Sequence, residues 1–269
     1  MPIACATTAF SRRSLEDALA AVRELGFSKV DLLAVEGWAH LMPSELVKDY
    51  DGVCARLNNA FKANHLSLAT LNIGFSPALY DRSCQAIVTR LSQAKAIVRL
   101  MLEHRVCVAT LQPGGRAKDR SFEQGMSDSA ESLRELVDVA EGTGVTFALE
   151  CHSGSVAESV PSALELLERV PGLKVDYDPS HAVMQSIDLE DTEPLMDRAA
   201  IVHLRDASPE VMQTRYGEGT TDFDWVLKRL RARRFRGIVG VEYLDTEGQE
   251  DIGPDIKALY QKIMEYFTD

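Results

Sequence analysis

The stretch "VDYDPSHAV" (residues 175–183) begins as an apolar strand and then carries two aspartates, a proline and a histidine. Acidic side chains are costly at the end of a buried run unless a counter-charge or a metal ion binds them. Pro179 cannot donate to a strand ladder, so the strand is expected to end at Asp178. The stretch therefore predicts a buried strand whose carboxyl end contributes polar groups to a site.

Strands of this kind recur along the whole chain. Short β-rich runs alternate with longer stretches of helical periodicity, and the alternation repeats eight times. This order of elements is typical of repeated βα units that build a parallel sheet. The strands are predicted at residues 3–10, 29–35, 67–75, 106–112, 145–152, 173–178, 200–207 and 237–244.

The stretches between the strands carry the end signals of helices. Ser14 precedes one of them and is followed by Glu16 and Asp17, as at a helix N-terminus, while another ends at Gly142. Eight βα units in a chain of 269 residues predict one α/β domain, a (β/α)8 TIM barrel over residues 1–269. An open doubly wound sheet is disfavoured because no GxGxxG phosphate loop follows the first strand.

Composition excludes several classes of partner. The chain has 29 basic and 41 acidic residues, a formal net charge of -12, which repels phosphate backbones and anionic membranes. Five cysteines are spread along the chain without a CxxC pair, which indicates neither a disulfide framework nor a zinc–thiolate site. The absence of a signal sequence and of a long apolar run favours a cytoplasmic location without nucleic-acid or membrane partners.

Four consecutive predicted strands each end in a side chain that can bind a metal ion. Glu150 ends the fifth strand, Asp178 ends the sixth, and His203 and Glu242 lie late in the seventh and eighth. In a TIM barrel these ends meet at one rim, where the chemistry takes place. Three carboxylates and one imidazole suit one divalent ion, Mn²⁺, Mg²⁺ or Co²⁺, with Zn²⁺ as a further candidate. The alternative interpretation is a structural ion-pair network.

Alternation along the strands extends this site. Residues i and i+2 of a strand share a face, so His152 is expected beside Glu150, and Arg205 beside His203. His181 follows the break at Pro179 and could turn back over the mouth. These groups could bind and protonate a polyhydroxy or carboxylate substrate, although Arg205 could instead form a salt bridge with Asp176 or Asp178. Further substrate contacts are predicted at Asn72, Gln112 and Arg215.

Five stretches resemble, in order, the motifs of the xylose isomerase-like, or sugar phosphate isomerase/epimerase, superfamily of TIM barrels. They are "ALECHSGS" (148–155), "VDYDPSH" (175–181), "IVHLRDA" (201–207), "RYGEGTTDFDWVLKRL" (215–230) and "GIVGVEY" (237–243). The resemblance to ketose 3-epimerases implies one divalent ion bound by Glu150, Asp178, His203 and Glu242. It also implies that Glu150 and Glu242 move the proton and that His181 contacts the substrate.

One motif departs from the epimerase pattern. "ECH" (150–152) resembles the Glu-x-His motif of the 3-dehydroshikimate dehydratase branch, in which the histidine acts as the base. That branch has a substrate-binding lysine at the position of Arg205, and arginine keeps the charge but changes the geometry. The resemblance therefore implies an isomerase or epimerase, with a lyase as the alternative, either a dehydratase or a decarboxylase.

These reactions share one chemical step. A divalent ion stabilises the enediolate that is left when a proton is removed beside a carbonyl group. The expected partner is a small carbohydrate or keto-polyol, and the exposed barrel helices could pair into a homodimer or homotetramer. An endonuclease IV-like nuclease is disfavoured, because it needs a trinuclear zinc site and a basic surface, whereas this chain has six histidines and a charge of -12.

Overall fold

Eight parallel strands close into a barrel in the computed structural model, which describes residues 1–114, 119–249 and 251–267. Each strand pairs in parallel with the next, and β1 pairs with β8 to complete the ring. The predicted (β/α)8 TIM barrel is therefore confirmed. The strands are β1 (Ile3–Ala6), β2 (Lys29–Val35), β3 (Ser67–Gly74), β4 (Val108–Leu111), β5 (Thr146–Glu150), β6 (Lys174–Tyr177), β7 (Ala199–Leu204) and β8 (Ile238–Val241).

Helices follow the strands and surround the barrel. The side chain of Ser14 accepts a hydrogen bond from the backbone N–H of Asp17, so α1 begins where its sequence signal predicts. Ser83 and Ser121 cap two further helices in the same way. The helices of the described residues are α1 (Leu15–Glu24), α2 (Pro43–Lys48), α3 (Tyr50–Ala63), α4 (Cys84–Glu103), α5 (Phe122–Ala140), α6 (Val160–Arg169), α7 (Pro179–Met184), α8 (Glu193–Met196), α9 (Phe223–Ala232) and α10 (Gly253–Phe267).

The core has an apolar and a polar part. Leu19 of α1, Leu57 of α3 and Leu133 of α5 are fully buried members of the apolar cluster between the helices and the strands. Inside the barrel, polar groups on different strands contact one another and are equally buried, such as Asp31 on β2 and His203 on β7. Buried polar groups are costly unless they are paired, so this polar interior marks the place of a site.

Only β2 keeps its predicted end, and the early ends of two other strands bear on the site. β5 ends at Glu150, and β6 ends at Tyr177 because Asp178 is the N-cap of α7. Its carboxylate accepts a hydrogen bond from the Ser180 N–H, and Pro179 occupies the first turn of the helix, where the missing N–H is tolerated. Because β5 ends at Glu150, His152 lies beyond the strand, and strand alternation does not determine its direction.

Two expectations from composition can be compared with the structure. All five cysteines are free thiols in the structure. Among the described residues, no helix combines the length and the apolar character that a membrane crossing requires.

Candidate active site at the barrel mouth

Three of the four predicted metal ligands come together at the carboxyl ends of the strands. Glu150 ends β5, His203 lies in β7, and Glu242 directly follows β8. One donor atom from each lies within 4.8 Å of the others, and the residues are only 2%, 0% and 3% exposed. These three side chains therefore form a compact, buried group of ligand type.

The fourth predicted ligand, Asp178, pairs with an arginine. Arg205 Nη2 lies 2.6 Å from Asp178 Oδ2, and Arg205 Nη1 lies 2.7 Å from Glu242 Oε2. Arg205 Nε donates a hydrogen bond to Ser180 Oγ at 2.9 Å. The salt bridge that the sequence allowed as an alternative is thus present, and a single guanidinium bridges two of the predicted ligands.

His203 is held between carboxylates of two other strands. Its Nε2 lies 2.7 Å from Asp31 Oδ2, and its Nδ1 lies 2.8 Å from Asp176 Oδ2. Asp176 Oδ2 accepts a hydrogen bond from Thr110, and Nδ1 makes no hydrogen bond of good geometry. A carboxylate on one imidazole nitrogen fixes the ring so that the other nitrogen can bind a ligand.

These carboxylates also set the charge of His203. Burial lowers its pKa, but the charges of Asp176, Glu242 and Asp31 outweigh burial and raise the pKa well above its usual range. The imidazole is therefore protonated near neutral pH in the absence of a metal ion. A metal ion that binds His203 would have to displace this proton.

A second group of donors shares Glu150. Donor atoms of Glu150, His152 and His181 lie within 4.8 Å of one another. His181 Nδ1 faces the backbone N–H of Ser153 at 3.3 Å, and this contact makes Nε2 the protonated nitrogen that donates to Glu150 Oε1 at 3.2 Å. His152 Nδ1 donates to the Ser153 carbonyl oxygen at 2.7 Å, so Nε2 is the ring nitrogen left for another partner.

The two glutamates have opposite pKa shifts. Burial raises the pKa of Glu150, but the hydrogen bond and charge of His181 outweigh burial and lower the pKa well below its usual range. Burial raises the pKa of Glu242 to about 7, although the charges of His203 and Arg205 oppose this shift. Environments that separate two carboxyl pKa values are typical of acid and base pairs in enzymes.

The chemistry of the donor set fits a divalent cation. The mouth holds five buried carboxylates that contact His203, His181 or Arg205, and Arg205 is the one arginine among these contacts within the described residues. Buried acceptor atoms without a hydrogen-bond partner include Asn72 Oδ1 and Asp176 Oδ1. An excess of buried negative charge and unpaired acceptor atoms is what a bound cation would compensate.

The three predicted substrate contacts outside the ligand group have different partners in the structure. Asn72 is 3% exposed and donates from Nδ2 to Glu242 Oε1 at 2.9 Å, so it belongs to the site. Gln112 follows β4, and its backbone N–H donates to the Ile73 carbonyl oxygen. Arg215 pairs with α10, because its Nη1 lies 3.3 Å from Asp255 Oδ2.

Two residues support the site through contacts that the strand pattern does not predict. Asp31 is the third residue of β2 and holds His203. Its signal was a charged residue inside an apolar strand. Thr110, which donates to Asp176, gave no signal because threonine is common in strands.

Comparisons with known proteins agree with the fold. The family model described as xylose isomerase-like TIM barrel matches residues 19–268. No curated protein matches the sequence at a significant level.

Solved structures with a similar fold include three with named activities or ligands. A 3-keto-D-glucoside 4-epimerase from E. coli is 20% identical, with a TM-score of 0.74 over 97% of this chain and 99% of that one. The probable 3-DHS dehydratase from Bacillus anthracis is 17% identical, with a TM-score of 0.70 over 97% and 99%. The IOLI protein with a binding zinc atom is 20% identical, with a TM-score of 0.73 over the full length of both chains. At these identities, the likeness shows a common fold.

Proposed function

The chain belongs to the xylose isomerase-like TIM-barrel family, and we propose that it is a divalent-metal-dependent isomerase or epimerase of a sugar or sugar derivative. The observation that carries this proposal is the buried group of Glu150, His203 and Glu242 at the carboxyl ends of the strands. Catalytic residues of TIM-barrel enzymes lie at this face.

Four residues would hold the ion: Glu150, Asp178, His203 and Glu242. Asp31 supports this assignment because it fixes His203 from the opposite side of the barrel, at 2.7 Å. When bound, a divalent ion supplies Lewis acidity, which stabilises the negative charge that develops on substrate oxygens after proton removal. Mn²⁺ and Mg²⁺ suit the carboxylate-rich set, and the zinc of the IOLI protein belongs to a similar fold.

Glu150 and Glu242 are the proposed proton-transfer groups. Glu150 ends β5 and Glu242 directly follows β8, and these two strands are not neighbours in the sheet. His181 Nε2 donates to Glu150 and Asn72 donates to Glu242, so each carboxylate is held in place. One glutamate removes a proton from carbon and the other returns a proton to a different face or carbon, which gives epimerisation or isomerisation. The similar E. coli protein is named as an epimerase.

A lyase is the second candidate, and one contact favours it. His152 donates from Nδ1 to the Ser153 carbonyl oxygen, so Nε2 is the ring nitrogen that would take a substrate proton beside Glu150. If His152 removes the proton and a β-hydroxyl group leaves, the reaction is a dehydration. The loss of carbon dioxide from a 3-keto acid would be a decarboxylation. The similar Bacillus anthracis protein is named as a probable 3-DHS dehydratase.

A substrate screen in D₂O tests the proposal. Ketohexoses, sugar phosphates, inososes, 3-keto sugar acids and 3-dehydroshikimate would be incubated with the enzyme and Mn²⁺ or Mg²⁺. We expect metal-dependent deuterium incorporation beside a carbonyl group together with an epimer or isomer. An unsaturated or decarboxylated product would favour the lyase, and the absence of metal-dependent turnover or exchange with every compound would contradict both functions.

His152→Ala distinguishes the two reactions once a substrate is found. If His152 is the base, turnover should fall roughly 10²- to 10⁴-fold, the usual range for a general base. If the glutamates transfer the proton, the variant should retain most of the α-hydrogen exchange. Exchange measured in both proteins therefore separates a catalytic from an orienting role of His152.

A further inference from the structure

Arg205 is fixed between two of the proposed metal ligands. Its two terminal nitrogens lie 2.6 Å from Asp178 Oδ2 and 2.7 Å from Glu242 Oε2. Its Nε donates to Ser180 Oγ at 2.9 Å, and the residue is 3% exposed. All three guanidinium nitrogens thus have an oxygen partner within the protein.

The other oxygens of both carboxylates are also occupied. Asp178 Oδ1 accepts a hydrogen bond from the backbone N–H of Ser180 at 2.8 Å. Glu242 Oε1 accepts one from Asn72 Nδ2 at 2.9 Å. A metal ion that binds Asp178 and Glu242 must therefore approach oxygens that already accept N–H donors.

The position of Asp178 is consistent with its pairing to Arg205. Glu150, His203 and Glu242 offer donor atoms within 4.8 Å of one another, and Asp178 belongs neither to this group nor to the one formed by Glu150, His152 and His181. Asp178 is only 6% exposed, so its carboxylate is buried with Arg205 as its cationic partner. Arg205 thus links Asp178 to Glu242, a member of the ligand group.

We infer that Arg205 is an internal counter-cation that competes with the divalent ion for Asp178 and Glu242. This inference rests on the proposed metal-dependent function. A guanidinium and a divalent ion repel each other, so sharing the same two carboxylate oxygens is unfavourable. In the metal-free chain, Arg205 pairs two carboxylates that would otherwise be buried with uncompensated charge. A bound ion would take the place of the guanidinium on Asp178, and the N–H groups of Arg205 would then be available to bind oxygen atoms of the substrate.

A calorimetric titration of metal-free protein with Mn²⁺ tests this competition. Arg205→Gln should bind Mn²⁺ about tenfold more tightly than the wild type or better, while its metal-free form melts at a lower temperature because two buried carboxylates lose their partner. Arg205→Lys should show a smaller gain in affinity, because an ammonium group lacks the fork that holds both carboxylates.

Arg82→Gln is the matched control. Arg82 forms a two-point ion pair with Glu135, with N–O distances of 2.7 and 2.8 Å, and neither residue contacts the ligands at the mouth. This variant should also melt at a lower temperature, but its Kd for Mn²⁺ should match that of the wild type. The control separates competition for the metal from a general loss of stability.

The Mn²⁺ affinities distinguish a failure of this inference from a failure of the proposed function. If the wild type binds Mn²⁺ and Arg205→Gln binds it equally or more weakly, the inference is overturned and the proposed metal-dependent function stands. If neither protein binds Mn²⁺, both are overturned. Should Arg205→Gln fail to fold, Arg205→Lys decides by the same criterion, and an unchanged or raised Kd overturns the inference.

Discussion

At the scale of single residues, Asp31 makes the contact that sets the orientation of His203. Both side chains are fully buried, and Asp31 Oδ2 lies 2.7 Å from His203 Nε2. Asp31→Asn keeps the size of the side chain but removes the charge that holds the imidazole. We expect a 10- to 100-fold loss of affinity for Mn²⁺, the usual range for such supporting partners of a ligand.

The control for this variant is Asp255→Asn. Asp255 is also buried, at 6% exposure, but it contacts Arg215 and the backbone of Tyr216 rather than the site. It should lower stability without a change in metal affinity. Equal Mn²⁺ affinities of Asp31→Asn and the wild type would refute the role of Asp31.

Some residues at the mouth could be predicted from the sequence, and others could not. Glu150, His203 and Glu242 could be predicted because each lies at the end of its own strand, and all such ends meet at one rim. The pairing of Asp31 with His203 could not, because β2 and β7 face each other across the barrel and no periodicity relates them. The ion pair of Arg215 with Asp255 of α10 could not be predicted either, because no periodicity relates this loop to that helix.

At the scale of elements, the loop between β7 and α9 is organised around one buried aspartate. Asp206 Oδ2 accepts hydrogen bonds from the backbone N–H groups of Gly217 and Gly219, at 2.8 and 3.2 Å. A Cβ atom at Gly219 would lie 2.2 Å from Asp206 Oδ1 and 2.4 Å from the Ala207 carbonyl oxygen. The "YGEG" segment (216–219) is therefore a turn whose backbone N–H groups already bind a carboxylate of the protein.

Gly219→Ala should consequently destabilise the protein by about 1–3 kcal/mol, the usual cost of forcing extra atoms into a packed site. Chemical denaturation measures this change. Gly125→Ala is the control, because its Cβ would approach Val156 Cγ1 only to 3.4 Å in an ordinary helical conformation. If Gly219→Ala were as stable as the wild type, the close packing of this loop around Asp206 would be wrong.

Elements with strong local signals were predicted from the sequence, and short ones were not. Ser14 caps α1 as predicted, because its side chain accepts the Asp17 N–H within the same turn. The end of β6 differs by one residue because Asp178 caps α7, a six-residue helix too short to show a periodic pattern. His152 lies two residues beyond the end of β5, so the strand pattern could not predict its direction.

At the scale of the whole molecule, stability should depend on pH through a histidine outside the active site. His40 is buried, with Nδ1 3.1 Å from Thr7 Oγ1 and Nε2 3.1 Å from the Phe10 carbonyl oxygen. Burial lowers the pKa of His40, and this effect outweighs that of the hydrogen bonds to the backbone, which raise the pKa.

The sign of this effect follows from linkage. Because the folded protein binds this proton less tightly than the unfolded chain, His40 has no effect above the unfolded pKa, roughly 6.5, and destabilises the fold as the pH falls below it. The free energy of unfolding should therefore fall less between pH 7 and pH 5 in His40→Gln than in the wild type. Parallel pH profiles of the two proteins would contradict this assignment.

The account depends most on whether the mouth of the barrel binds one divalent ion. The direct measurement is the stoichiometry of Mn²⁺ bound after metal removal and reconstitution, in the wild type, Glu150→Gln and Glu242→Gln, with circular dichroism to verify the fold. We predict one ion per wild-type chain, and folded variants in which binding is greatly weakened and activity falls by more than about tenfold. A wild-type chain that binds no stoichiometric ion, or folded variants that bind it as tightly as the wild type, would contradict the account.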